Sequence, residues 1–143
     1  MNKNLHILIV VAAVFFVVCG LQAAPPVQTG AGGSYTDAQA TRGEALYGQQ
    51  CAACHGLELE GVPDLFPALV GDVFVEAWQE RSLGELFETV SVTMPALDPG
   101  SLTPEQTADV MAYMLSASMY PSSSTDLATD LDALNAIPIG APE

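Results

Sequence analysis

The chain has 143 residues with 3 basic and 17 acidic side chains, a formal net charge of −14 at pH 7, 3 Cys, 12 Gly and 10 Pro. That length allows one domain of ordinary size and leaves no room for a two-domain enzyme. So acidic a surface repels phosphate backbones and anionic lipid headgroups, which excludes nucleic-acid binding and electrostatic attachment to a membrane surface.

The start of the chain reads as a targeting segment. Lys3 gives a weakly positive beginning, Ile7 to Val18 is an unbroken apolar run, and Leu21 and Ala23 suit a signal peptidase cutting before Ala24. The expectation is therefore a signal peptide over 1–23. Two alternatives stay open: a retained N-terminal anchor, although the apolar stretch is short of the roughly 20 residues a span prefers, and a lipid-bearing Cys19. In each case the remainder is exported, to the periplasm or an equivalent compartment. Cleavage removes His6 and Cys19, leaving Cys51 and Cys54 as the cysteines and His55 as the histidine. A lone thiol pair in an oxidising compartment ordinarily becomes a disulfide, so this pair calls for another explanation.

Residues 24–35, rich in Pro, Gly and Ser, read as a flexible linker. A first helix is expected from Thr36 to about Gln50, with Ala38, Ala45, Leu46 and Tyr47 as its apolar positions. Gly56 to Val73 is punctuated by Gly and Pro and reads as irregular loop; Phe74 to Gln79 forms a short helix carrying Trp78. Ser82 and Glu85 make a capping box, opening a helix that buries Leu83, Leu86, Phe87 and Val90 and frays near Ser91. Thr103 and Gln106 make a second box, with Pro104 at the first helical position. That last helix presents Ala108, Met111, Tyr113, Met114 and Leu115 and ends near Tyr120-Pro121. Residues 121–143 form a C-terminal tail, lying on the domain or partly disordered. No β-run or repeat is evident, so the fold class is all-α: three to four short helices and long loops over residues 36–120. The loops bring too few apolar side chains to fill such an interior, and a large buried cofactor would supply the missing bulk.

The chemistry lies in Cys51-Ala52-Ala53-Cys54-His55. C-x-x-C-H is the attachment signature of c-type haem: two thiols one helical turn apart reach both vinyl groups of one haem edge, and the following imidazole takes the proximal iron position. A zinc site needs about four ligands, for which there is no second C-x-x-C. A redox dithiol expects a βαβ context, and a plain disulfide leaves His55 without a role. Among the methionines, Met111 and Met114 sit at core spacing on a helix, where packing is the ordinary use, and Met119 adjoins Tyr120. Met94 sits in a loop, extended by Pro95, and is the candidate distal ligand.

Over Thr36 to Tyr120 the sequence resembles the class I cytochrome c family, through Cys51 to Gly56, Thr93-Met94-Pro95 and the capped helix at Thr103. The resemblance implies the small cytochrome c fold around one covalent haem c, thioethers on Cys51 and Cys54, His55 proximal and Met94 distal. It further implies that Gly43 and Tyr47 cross the last helix near Tyr113. The carbonyl of Pro67, with Pro63 as a competitor, would accept the proximal imidazole N–H. Cofactor-binding residues are thus Cys51, Cys54, His55 and Met94, with His55 and Met94 on the metal. His/Met ligation raises the reduction potential.

Six filled iron positions leave no place for a substrate, so the expected function is electron carriage without catalysis between periplasmic redox partners, which are expected to present a basic docking surface. A weaker likeness to cytochromes serving quinoprotein dehydrogenases is present. The alternatives are a haem enzyme or gas sensor with an open sixth site, and a cytochrome subunit of a larger dehydrogenase or respiratory complex. Glu58/Glu60 and Glu85/Glu88 read as solvated faces, Trp78 and Tyr113 as haem packing or core. Arg42 and Arg81 are the cations available to offset haem propionates, with Arg81, beside Trp78, preferred. Membrane contact is expected only through a retained N-terminal segment.

Overall fold

The structure, a computed structural model, describes residues 30–142. The expected signal peptide over 1–23, with Lys3, His6 and Cys19, and the 24–29 part of the expected linker lie outside the described residues. Among the described residues there are six helices: α1 (Asp37–Gln50), α2 (Ala52–His55), α3 (Gly71–Trp78), α4 (Leu83–Thr93), α5 (Pro104–Ala117) and α6 (Leu131–Asn135). Extended pairing there is confined to two isolated bridges, Val62 with Phe66 and Ser82 with Pro138, so the fold is all-α. No helix among the described residues is long and apolar enough to cross a membrane.

The helix starts follow the capping chemistry of the sequence. Thr36 Oγ1 accepts the Gln39 N–H at the head of α1. Both expected capping boxes, Ser82 with Glu85 and Thr103 with Gln106, are complete, and each satisfies two backbone donors that would otherwise lack partners. The helix ends differ more: α4 continues through Ser91 to Thr93, and α5 stops at Ala117, short of Tyr120.

The main packing contact is α1 across α5. Its inward face is not the expected one: Ala38 and Ala45 are exposed, while Gln39, Ala40, Gly43 and Tyr47 are buried. Smallness decides this, because a Cβ on Gly43 would collide with the Asp109 carbonyl. Tyr47 stacks obliquely on Tyr113 with centroids 5.3 Å apart, as the family resemblance implies.

The N-terminal end of the described chain departs from expectation, and the C-terminal tail follows the first of its two expected courses. Residues 30–35 are docked, not a loose linker: Ala31 and Tyr35 are buried, Ala31 N–H donates to Ile139 O at 3.0 Å and Gly33 N–H to Pro121 O at 2.6 Å. The tail lies on the domain, burying Leu127, Leu134 and Ile139 and forming α6. Gln39 bridges α1 to it, its Nε2 donating to Leu127 O at 3.2 Å and its Oε1 accepting Leu127 N–H at 2.6 Å. Each buried Leu or Ile side chain stabilises the docking by about 1.5–3 kcal/mol. Exposed ion pairs contribute little by comparison, so the apolar anchors hold the tail.

Candidate cofactor site

The site is built where α1 gives way to α2. At Cys51 the backbone leaves α1 (φ −125°, ψ −36°), its N–H still donating to Tyr47 O at 2.9 Å, and winds at once into the short α2. Cys54 and His55 N–H both bond back to Cys51 O, at 3.1 and 3.0 Å. One tight turn therefore gathers Cys51, Cys54 and His55 on the wall of a single cavity. Gly56, with φ +81°, takes the chain out in a left-handed conformation that side chains avoid. The Tyr47 hydroxyl donates to Gly56 O at 2.6 Å, fixing α2 against α1.

The cavity has a volume of about 310 Å³. Leu65 to Leu69 of the loop line one part, Val73, Ala77 and Trp78 of α3 another, and Leu86, Thr89 and Val90 of α4 a third; α5 adds Val110 and Met114. The lining is mostly apolar with a few polar groups, as in ligand pockets generally.

His55 is buried, and its Nδ1 lies 2.9 Å from the Pro67 carbonyl oxygen. A carbonyl only accepts, so Nδ1 carries the proton and Nε2 keeps its lone pair as a ligand atom. Pro67 holds this position and Pro63 does not. Burial, followed by the nearby Cys54, pushes the Cys51 thiol up from its ordinary pKa, so it stays uncharged at neutral pH. Neither Cys51 nor Cys54 is in a disulfide.

Met94 also lines the cavity, half-buried, as the C-cap of α4. Its backbone is extended (φ −118°, ψ 154°), as the following proline predicts, and its N–H closes on Val90 O at 3.0 Å. Met111 is wholly core and Met119 is exposed. Met114, expected as core, is buried but faces the cavity too, so α5 offers a second thioether. Core spacing alone could not separate Met111 from Met114, because burial against protein and burial against a cavity share one periodicity.

The remaining candidates divide. Trp78 lines the cavity, and the Arg81 guanidinium lies 4.3 Å from its ring centroid while Nε bonds Glu85 at 3.1 Å. Glu85 is held below the usual carboxylate range, first by the Ser82 backbone N–H and then by Arg81. Arg42 does not face the cavity wall: it bridges Asp109 at 2.9 Å and Asp126 at 3.1 Å, tying α1 to α5 and the tail. Its partners are 67 and 84 positions away, beyond the reach of local sequence reading. Tyr113 belongs to the α1–α5 contact. Glu58 and Glu60 are exposed, with Glu60 accepting the Glu58 N–H at 2.9 Å. Among the described residues no group of three or more His, Cys, Asp and Glu is placed to hold a metal ion.

The donor set suits a haem. Two thiols outside any disulfide and an imidazole with one oriented free nitrogen share an apolar-lined cavity, and a thioether lines the same cavity.

Comparison with known proteins agrees. The profile of the family described as cytochrome c oxidase, cbb3-type, subunit III matches residues 38–114, more than half of the chain. A curated relative, cytochrome c-551 of Bacillus subtilis (strain 168), is 42% identical over 64 residues, 43% of this chain and 56% of the relative. The match thus spans little more than half the length of that relative. The sulfane dehydrogenase SoxCD from Paracoccus pantotrophus aligns with a TM-score of 0.48 and 17% identity, over 85% of this chain and 68% of the other.

Proposed function

The chain belongs to the c-type cytochromes, in the family whose profile spans residues 38–114, and on that footing we propose that it is a single-haem carrier passing one electron at a time between exported redox proteins, with His55 and Met94 as the axial ligands. Its cofactor is haem c, covalently bound, and Cys51 and Cys54 with His55 fit the attachment motif. The observation that carries the reading is that Cys51, Cys54, His55 and Met94 all line one cavity, with the His55 tautomer set by Pro67.

The haem iron supplies a one-electron couple. Cys51 and Cys54 would hold the ring through thioether bonds, each thiol adding across a vinyl group. The Pro67 carbonyl orients His55 and leaves Nε2 as the nitrogen that would hold the metal. The Met94 sulfur, a neutral soft donor, favours the reduced metal and raises the potential. Leu86 and Val90, which line the cavity, would help to keep water from the bound cofactor. With His55 and Met94 both on the metal, small molecules would find no open position there, and electron exchange would remain.

The acidic surface supports a basic docking partner. Leu57, Leu65, Val73 and Leu97 are exposed, with the exposed carboxylates Glu58, Asp64, Asp72 and Asp98 beside them in the chain. Steering by such a surface makes the association rate with a basic partner fall steeply as ionic strength rises. A flat profile would instead mark the charge as an adaptation to a salty habitat.

The ligand assignment is tested on the purified, haem-loaded protein. The ferric form should show the long-wavelength band of sulfur–iron ligation, and the reduced form should bind carbon monoxide slowly. Met94→Ala should abolish the band, open the iron to carbon monoxide and lower the potential. Met114→Leu should leave all three near wild type. Loss of the band in Met114→Leu, with Met94→Ala unaffected, would move the ligand to α5. A band missing from the wild type, with rapid carbon monoxide binding, would favour the open-site enzyme or sensor.

A second reading has its own support. The matching family profile is described as an oxidase subunit, so a cytochrome subunit of a larger respiratory complex fits the same site. Purification of an intact multi-subunit assembly under mild conditions would favour it over the free carrier.

A further inference from the structure

The C-terminal segment grips one place in the fold with unusual thoroughness, the connection between α3 and α4. Gly140 N–H donates to Gln79 O at 3.1 Å, Ile139 N–H to Arg81 O at 2.8 Å, and Leu83 N–H to Ile137 O at 2.9 Å. Ser82 and Pro138 form the isolated bridge in the middle of this short ladder. α6 adds a side-chain grip: Leu134 is wholly buried, the Ser82 hydroxyl donates to Asn135 Oδ1 at 3.2 Å, and a Cβ on Gly84 would collide with the Asn135 side chain. The strap is fastened at its outer side as well. Ile139 O accepts the Ala31 N–H at 3.0 Å, and Gly140 O accepts the Tyr120 hydroxyl at 2.7 Å.

The gripped connection joins the two helices that form much of the cavity wall. α3 contributes Val73, Ala77 and Trp78, and α4 contributes Leu86, Thr89 and Val90. The same α4 ends on Met94, whose N–H is still part of the helix ladder. A hydrogen-bonded helix of 11 residues packed on a dense core transmits a shift at one end to the other, because close-packed interiors compress little. The strap therefore sits at the joint that leads, through α4, to Met94.

From this geometry we infer that the strap over residues 134–140 positions Met94 against the cofactor: Leu134 and Tyr120 act through α4 to keep the thioether seated and the sixth iron position closed. This rests on the reading of Met94 as the distal ligand. The other end of the tail provides the contrast, since Asp126 and Leu127 tie to Arg42 and Gln39 of α1, away from the α3–α4 connection. A merely stabilising tail would show one behaviour along its whole length; a positioning strap shows two.

The test uses the full, haem-loaded chain with three readouts: the sulfur–iron band of the ferric form, the carbon monoxide binding rate of the reduced form, and the melting temperature. Leu134→Ala should weaken the band and speed carbon monoxide binding about tenfold, the shift expected when the seated state loses part of its advantage. Leu134→Met, which conserves volume, should restore both. Tyr120→Phe removes a single hydroxyl and should move both readouts the same way by less; it decides the matter if Leu134→Ala fails to fold. Asp126→Asn should lower the melting temperature slightly and leave band and rate unchanged. Wild-type band and rate in both Leu134→Ala and Tyr120→Phe would overturn the inference, as would an Asp126→Asn effect on the band equal to that of Leu134→Ala. A wild-type protein without the band overturns the ligand assignment first, and is seen before any variant is made.

Discussion

The crossing of α1 with α5 and the wall formed by α3 and α4 are built from similar apolar side chains and put them to opposite use. At the crossing the helices close until only hydrogen fits between them, at Gly43 over Asp109, and Tyr47 fills what remains against Tyr113. At the wall, Leu86, Val90 and Trp78 pack on the core on one side and line a cavity of about 310 Å³ on the other. Apolar side chains that line such a cavity without an occupant forgo the close packing the rest of the core enjoys. The lesson is that one half of the molecule is finished by its own chain and the other half is finished by what Cys51 and Cys54 hold.

The sharpest way to break that contrast is to remove the attachment. The double variant Cys51→Ala, Cys54→Ala should lose covalent haem completely, seen as an intact mass without the cofactor increment. In that protein amide hydrogen exchange should speed up most in α3 and α4, while α1 and α5 retain the larger share of their protection. Equal loss in all four helices would show that the crossing depends on the cofactor as much as the wall does.

A second substitution attacks the other half. Gly43→Ala places a methyl where the Asp109 carbonyl stands, and overpacking of this kind costs about 1–3 kcal/mol. The melting temperature of the loaded protein should fall accordingly, with the ferric spectrum unaltered because the wall is untouched. A changed spectrum would mean that the two halves are coupled through α5, which reaches the cavity with Val110 and Met114.

How far the sequence reveals this division depends on how local each determinant is. The capping boxes at Ser82 and Thr103 are legible because their partners lie three residues away. The thiols and His55 are legible because their spacing is itself the motif, and Met94 because Pro95 extends it. The inward face of α1 is not legible: Gln39 is polar, and it is buried only because Leu127, 88 positions away, takes both halves of its amide. The docking of residues 30–35, and the anchors by which the tail lies on the domain, escape for the same reason. Leu127, Leu134 and Ile139 are too widely spaced to form a periodic face, and α6, with 5 residues, is too short to nucleate without tertiary support.

The smallest expected effect concerns the tail's hold on α1 and its response to acid. Asp126 lies below the usual carboxylate range, first because the Thr36 hydroxyl donates to it and then because Arg42 does. A carboxylate depressed in the folded state stabilises the fold fully above its unfolded value, 3.8, and that contribution is lost as pH falls below it through the folded value. The wild type should therefore lose part of its tail docking below pH 3.8, and Asp126→Asn, which lacks the charge throughout, should lose less over the same interval. At neutral pH the variant should melt no more than about 5 °C lower, the scale of an exposed ion pair in a domain of this size. The same hydroxyl caps α1 through the Gln39 N–H, so faster exchange confined to the first turn of α1 and to Leu127 would trace the effect to this one carboxylate. A melting curve with identical acid dependence in both proteins would place the acid sensitivity elsewhere, with Glu85 of the α4 capping box, held down by Ser82 and Arg81, as the next carboxylate to examine.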